Sequence, residues 1–401
     1  MGTQGDVQPF AILGQALKKR RHQVTLSTAK NFEGLVKSYN IDFLPIDADF
    51  QEFLNSEEGK KMMKNPFRAK KNLNIWVYPM ILNSMKAFYN LSKESDRVIF
   101  HVKTMADYFA DQFPEKMIRA NVIPAIEYTK EFCNPVFSAL PLPSFLNGLS
   151  YKLSDLGISM MMKPVNEFRK SEGLPLKFKK PILPSIYGIS EHFLTKPKDY
   201  PPNNHFTGFW TTSSSTELDN DLTDFINQGT PPLLITFGSM TFETKMDLPN
   251  AINKLSNELN LRVIVVKGWG FNDTQKLEEN PNIKVIKAAP YDKLFPHVKA
   301  VINHGGIGTI SACLIAGKPF FTCPVLYPLG DQHFWATIGY KKGIALKPIA
   351  LKNMTERLLI ENAKTLLSTE ILYTNSLEIS KKIKPENGVE KAIELIETNQ
   401  H

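Results

Sequence analysis

The stretch Asn303-His304-Gly305-Gly306-Ile307-Gly308-Thr309, followed further on by Asp331-Gln332, decides how this chain is read. Ahead of it, Lys299-Ala300-Val301-Ile302-Asn303 is short and apolar, the composition of a buried parallel strand. Behind it, Thr309 to Ala316 carries Ile310, Cys313 and Leu314 at helical spacing and stops at Gly317. Glycines between a strand and a helix let backbone N–H groups approach an anion, and a helix start favours negative charge. His304 can add a side-chain hydrogen bond to a phosphate oxygen. The stretch reads as a diphosphate cradle at a helix start, with a polar pair placed further on to hold a sugar.

Working outward, strand and helix patterns alternate along the whole chain. The first half offers a helical face at Phe10, Leu13, Ala16 and Leu17, then strands at Gln23–Thr28, Asp42–Pro45, Arg97–His101 and Pro184–Ser190. A Pro- and Asn-rich stretch from Pro197 to Asn204 interrupts the series. A second series follows, with strands at Pro232–Phe237, Leu261–Val266, Ile283–Ile286, Ala300–Asn303 and Phe320–Pro324. The last 50 or so residues are helical and charged and end in a helix from Gly388 to Thr398. Such βα alternation predicts an α/β protein of two doubly wound, Rossmann-like parallel-sheet domains facing across a cleft, with ligands at the C-terminal strand ends. The expected division is 1–202, 203–380, and a C-terminal piece, 381–401, packing back on the first domain. One oddity is that the first glycine-rich turn begins at Gly2, with no apolar strand before it. The expectation here is a chain that starts late, or a sheet completed in another way.

Composition narrows the class. The chain has 401 residues, 22% charged and 42% hydrophobic, ordinary values for globular domains. No run of 18 apolar residues predicts a membrane-spanning helix, and the N-terminus lacks a signal-peptide pattern. Cys133, Cys313 and Cys323 lack CxxC spacing, so neither a disulfide framework nor a zinc site is expected, and a reducing cytoplasm is the simplest reading. The net charge of +8 is scattered and comes without a nucleic-acid-binding motif. Anionic nucleotides and anionic membrane surfaces account for it better.

Several further motifs share one order and spacing. They are Pro290-Tyr291-Asp292, Leu294-Phe295-Pro296, His304 to Thr309, Ala316-Gly317-Lys318-Pro319, Gly330-Asp331-Gln332 and Phe334-Trp335. This set resembles the donor-binding segment of GT-B fold nucleotide-sugar glycosyltransferases of the UDP-glucosyltransferase family. The nearest likeness is to the bacterial and fungal branch that includes sterol glucosyltransferases. Phe206–Trp210, Thr236–Met240 and Leu149–Tyr151 extend the likeness over nearly the whole chain.

The resemblance implies an inverting, metal-independent transferase with no cofactor. It would move a hexose, glucose from UDP-glucose first, to a hydroxyl of a lipophilic acceptor such as a sterol, flavonoid or polyketide. It assigns the donor diphosphate to His304, Gly306, Gly308 and Thr309 with Gly238-Ser239, and the sugar hydroxyls to Asp331 and Gln332. Asp6 becomes the catalytic base, in Gly2-Thr3-Gln4-Gly5-Asp6, and burial that raises its pKa would help it. His101 and Lys103 fall in a His-x-Lys step on the acceptor side or orient Asp6. Trp269 resembles a residue of a turn near the donor cleft. The glutamate with which plant relatives grip the donor ribose corresponds to Ala312, so the choice between UDP and TDP stays open.

Each of these residues also has a plain structural reading. Gly238-Ser239 can be a tight turn with a helix cap, Asp331 and Asp6 can be N-caps, and His101 a packed core histidine. His333 reads as surface or packing. Basic and apolar residues interleave at Lys60–Lys64 and Arg68–Lys71, which suits an anionic bilayer surface, and Met160–Met162 form an adaptable apolar stretch. A non-catalytic protein of the same fold that binds UDP-sugar or lipid is the main rival; an epimerase or hydrolase on that fold is another.

Overall fold

The computed structural model describes residues 2–47, 56, 73–238, 244–268 and 274–398. In the first half these form α1 (Gln4–Lys19), β1 (Thr25–Ala29), β2 (Asp42–Ile46), α2 (Tyr78–Glu94), β3 (Val98–Phe100), β4 (Met117–Asn121), α3 (Asn147–Ser159), α4 (Met162–Ser171), β5 (Ser185–Tyr187) and β6 (Asn204–Phe206), with a short helix at Glu33–Ser38. The strands split into two parallel sheets, β1-β2 and β3-β4-β5-β6, where the sequence pattern implies one. Helix α1 ties them together. Its Val7 and Ala11 pack with Ala29 and Phe32 beside the small sheet, and its Leu13 and Leu17 pack with Ile118, Ala120 and Ile186 of the larger one.

Strands β4 and β6 are not legible as strands in the sequence. In β4 the buried Arg119 interrupts the apolar run, and it is tolerated because Asp107 lies 2.6 Å and Glu127 3.4 Å from its guanidinium. Strand β6 sits at the end of the Pro- and Asn-rich stretch that reads as a linker. Since β6 is the outer strand of the first sheet, that sheet runs past the expected division at residue 202. We propose placing the division after Trp210 instead, whose ring packs in the core of the first domain.

The second half contains β7 (Leu233–Thr236), β8 (Val263–Val266), β9 (Ile283–Ile286), β10 (Ala300–Asn303), α5 (Ile307–Ala316), β11 (Phe320–Thr322), α6 (Gln332–Lys341) and α7 (Gly388–Thr398), with further helices between them. The sheet is parallel, in the order β11-β10-β7-β8-β9. Both faces are covered, which is why these strands read as unbroken apolar runs. Leu234, Ile264 and Val301 enter one core, with Ile310 of α5, whereas Leu233, Ile235, Val263 and Ile302 enter the other. Strand order reverses between β7 and β10, so a crevice opens at their C-terminal ends. Helix α7 lies against α1, with Ala392, Ile393 and Ile396 in the same cluster as Leu13 and Leu17. Arg20 clamps it through Glu390 and Glu397, each at 2.6 Å.

Candidate active site

The crevice between β7 and β10 brings Gly238 and His304 together. Gly238 follows β7 with a left-handed φ of 69°, and a Cβ there would stand 2.6 Å from His304 Cε1. A Cβ on Gly306 would stand 2.5 Å from His304 Nε2. The two glycines therefore hold the imidazole between bare backbone, and neither position has room for a side chain. Burial depresses the His304 pKa to about 4, so the ring is neutral at physiological pH. Its Nδ1 is buried without a hydrogen-bond partner among the described residues. A buried polar atom left without a partner is costly, so this nitrogen keeps an open hydrogen-bonding capacity.

Gly306 is the N-cap of α5, and no side chain caps this helix start. The first backbone N–H groups of an uncapped helix carry partial positive charge and remain available to an anion. A Cβ on Gly308 would meet nothing within 4 Å, so this glycine faces open space. Thr309 is placed differently from the sequence expectation. Its N–H is bonded to Gly306 O, and its hydroxyl is bonded to Tyr291, which also lies 3.2 Å from Thr236 Oγ1. Thr309 thus anchors the helix start from beneath. Asn303 does the same for the loop, its Oδ1 accepting from Gly305 N at 2.8 Å and Thr322 Oγ1 at 3.1 Å.

Asp331 stands at the N-cap of α6, but its side chain does not cap the helix. Its Oδ2 accepts from Trp335 Nε1 at 2.9 Å, which fixes the carboxylate from one turn below. Burial raises its pKa, opposed by the charge of Lys103 and the Trp335 hydrogen bond. Gln332 is used by the fold itself. Its Oε1 accepts from the amides of Val325 (2.8 Å) and Leu326 (2.9 Å), so its carbonyl is committed to holding the preceding loop.

Across from this loop stands Asp6, in the first turn of α1. Thr3, not Asp6, is the N-cap. The carboxylate divides its oxygens between two roles. Oδ2 accepts from Thr3 N at 2.8 Å, the reciprocal half of a capping box. Oδ1 accepts from Lys103 Nζ at 2.7 Å and lies 3.8 Å from His101 Nε2. Gly2 is required here, because a Cβ at that position would collide with Asp6 Oδ2. Burial alone would raise the Asp6 pKa, as the sequence leads one to expect. The charge of Lys103, with the hydrogen bonds from Lys103 and Thr3, outweighs burial and holds the carboxylate well below its ordinary range. With Lys103 in place Asp6 is thus an ionised hydrogen-bond acceptor whose pKa is lowered, where the sequence leads one to expect burial to raise it.

His101 is kept neutral by burial and by the neighbouring Lys103 charge, with a pKa depressed to about 3. Its Nδ1 accepts from the backbone N–H of Lys103 at 3.1 Å, so the ring proton sits on Nε2, the nitrogen facing Asp6. Phe10 packs on the ring at 6.0 Å between centroids.

The two halves meet. Gly330 N donates to Val136 O at 2.9 Å, and the Phe132 and Phe334 rings pack at 5.3 Å. His333 is a packing residue, as its sequence context suggests, with its ring against Tyr327 and its Nδ1 3.5 Å from Ser138 Oγ. The ionisation of Asp331 responds to the charges of both Lys103 and Asp6, so the three side chains share one electrostatic neighbourhood. The pattern of the UDP-glucoronosyl and UDP-glucosyl transferase family matches residues 184–398, over half of the chain. The chain belongs to this family. The family 28 glycosyltransferase N-terminal domain pattern matches residues 1–90.

Within this glycosyltransferase family, the chain is similar to the sterol 3-beta-glucosyltransferase UGT80B1 of Arabidopsis thaliana, at 26% identity over 98% of this chain and 66% of that protein. It is 28% identical to a sterol 3-beta-glucosyltransferase of Debaryomyces hansenii over 99% of its own length, but it spans only 26% of that protein. It is 25% identical to the O-mycaminosyltylonolide 6-deoxyallosyltransferase of Streptomyces fradiae, over 99% of this chain and 95% of that one. Among solved structures, the glycosyltransferase of kitacinnamycin superposes with a TM-score of 0.73 at 14% identity, over 99% of this chain and 96% of that one. VinC, solved in complex with dTDP, gives 0.64 at 14% identity, over 98% of this chain and 96% of that one. These likenesses establish the GT-B fold.

Of the other candidates read from the sequence, Ser239, Trp269 and the basic segment 60–71 lie outside the described residues. Gly268, beside Trp269, is described and packs against Gly238 O. Gly2, Thr3, Asn303, Tyr291 and Trp335 enter the sequence reading only as members of longer motifs, with no role of their own. A polar residue ending an apolar strand is the available signal for Asn303; the others depend on packing that spacing does not reveal.

Proposed function

We propose that this chain is an inverting glycosyltransferase that moves a hexose, glucose from UDP-glucose first, to a hydroxyl of a lipophilic acceptor such as a sterol, flavonoid or polyketide. What carries the reading is the pairing of an ionised carboxylate on one domain with an unsatisfied, glycine-flanked histidine at an uncapped helix start on the other. The acceptor oxygen attacks C1 of the sugar, the C1–phosphate oxygen bond breaks, and the nucleoside diphosphate leaves. The acceptor proton passes to Asp6. Charge building on the diphosphate is met by His304 and by the amides at Gly306 and Gly308 rather than by a metal. Asp331 accepts from sugar hydroxyls while Trp335 holds it in place. Lys103 keeps Asp6 ionised, and the Nε2–H of His101 orients it.

A low Asp6 pKa makes the carboxylate a weak base in the empty site. Its strength rises when an acceptor displaces Lys103 from Oδ1, because burial then acts without its counter-charge. The sterol-glucosylating relatives favour a sterol acceptor, and the Streptomyces relative favours a macrolide and a deoxysugar. Ala312, which cannot grip a ribose, is compatible with either nucleotide. We read the working location as the cytoplasm and the membrane surface.

The test is nucleotide release from UDP-glucose and from dTDP-glucose, with and without sterols, flavonoids and macrolides, together with the mass of the conjugate. Acceptor-dependent release with a product heavier by one hexose is expected. Tight nucleotide binding with no turnover on any acceptor would overturn the reading in favour of a binding protein on the same fold.

A further inference from the structure

Helices on an α/β domain ordinarily turn their apolar stripe inward. Helix α3 does the reverse. Its buried residues are Asn147, Gly148, Ser150 and Tyr151, all in its first turn and a half. From Lys152 to Met160 every residue except Ser154 is exposed. Leu149, Leu153, Leu156 and Met160 recur at helical spacing and form a stripe directed away from Ser150 and Tyr151. Phe145 stands one turn ahead of Leu149 and is 82% exposed, and Leu156 is 66% exposed. Six of the fourteen large hydrophobic side chains exposed among the described residues lie between Phe145 and Met160, so this is a concentrated patch and not background.

The stripe is held on a fixed mount. At one end Asn147 Nδ2 donates to Lys130 O at 3.0 Å, and Ser150 Oγ accepts from Asn134 N at 2.7 Å. At the other, Tyr78 Oη donates to Met160 O at 2.8 Å. Lys152 lies on the flank of the stripe and is exposed, and Lys163 stands just beyond Met160, over the Tyr78 ring. Asp155 is the acidic residue on the exposed length.

We infer that the outer stripe of α3 seats on the surface of an anionic lipid bilayer. Phe145, Leu149, Leu153, Leu156 and Met160 enter the boundary between headgroups and acyl chains, while Lys152 and Lys163 meet lipid phosphates. Charge decides between this occupant and a second copy of the chain. A symmetric partner would bring its own Lys152 and Lys163 to the same face, on a protein already at +8, whereas an anionic surface neutralises them. No helix among the described residues is long and apolar enough to cross a membrane, so the contact is interfacial. This seating rests on the membrane-surface location proposed above and gives it a surface on the protein, but it does not depend on the transfer reaction.

The experiment is co-sedimentation of the full chain with vesicles of phosphatidylcholine alone and with about 30% phosphatidylserine added. Wild-type protein should bind the anionic vesicles, and bind the neutral ones roughly tenfold less. Leu153→Ser/Leu156→Ser should lower binding to anionic vesicles at least about tenfold, since each exposed leucine loses its apolar transfer. Nucleotide affinity and Tm of this variant should match wild type, and Phe145→Ser provides a second, milder variant. Equal binding by wild type and the double variant, or no binding of wild type to either vesicle, would overturn the inference. So would a wild-type dimer in light scattering that the double variant loses, which would give the stripe to a second copy.

Discussion

The two halves of the site are prepared in opposite ways. On the donor side, His304 is neutral, sandwiched between Gly238 and Gly306, and keeps a buried Nδ1 unsatisfied next to an uncapped helix start. On the acceptor side, Asp6 is already satisfied by Thr3 and Lys103. In the reaction proposed above, one half gains a ligand to complete its hydrogen bonds, and the other gives up a bond to take part. An open half should govern affinity, and a self-satisfied half should govern turnover.

The largest effect that would separate them is Asp6→Asn. It preserves shape but removes the proposed proton acceptor, and kcat should fall by roughly 10³-fold. His304→Ala strikes the other half, and the KM for the nucleotide-sugar should rise by about 10- to 100-fold through a lost hydrogen bond to a charged group. Steady-state kinetics on both variants checks each. A glycine pair sharpens the donor side further. Gly306→Ala drives a methyl into His304 and should weaken nucleotide binding about tenfold, whereas Gly308→Ala meets nothing within 4 Å and should leave Tm unchanged. Titration calorimetry and a melting curve compare the two.

Two pH experiments have smaller effects. Lys103→Met removes the charge that offsets burial at Asp6 in the empty site, so the Asp6 pKa rises and the acid limb of kcat/KM moves to higher pH. The same change removes stability that wild type has above the ordinary carboxylate pKa and loses only as pH falls through the depressed folded value. At His304 the sign follows from a folded pKa of about 4 against an ordinary 6.5. Between these values the unfolded chain binds a proton that the folded chain refuses, so wild-type stability should fall as pH drops through this window. His304→Gln should flatten that part of the Tm–pH curve.

How legible the molecule is from sequence follows the same divide. Strand, glycine turn and helix are contiguous around His304, and the bounds of Ile283–Ile286 and Ala300–Asn303 coincide with β9 and β10. Local pattern is enough where all parts of a feature are neighbours. It fails where a residue is made tolerable by distant partners, as with Arg119 in β4 between Asp107 and Glu127. It also misjudges side chains whose type suits a ligand but whose atoms are used by the fold. The Gln332 carbonyl holds Val325 and Leu326, and the Thr309 hydroxyl is bonded to Tyr291. At Asp6 burial is foreseeable but its net effect is not, because the lysine that reverses it lies 97 residues away.

The most direct test of the division of labour is UDP affinity, by calorimetry, in Asp6→Asn and His304→Ala beside their turnover on one accepted substrate. Asp6→Asn should keep UDP affinity within about twofold of wild type while turnover collapses, and His304→Ala should lose affinity first. An Asp6→Asn protein that turns over at the wild-type rate, or that loses UDP binding along with turnover, would refute this division between an open donor half and a self-satisfied acceptor half.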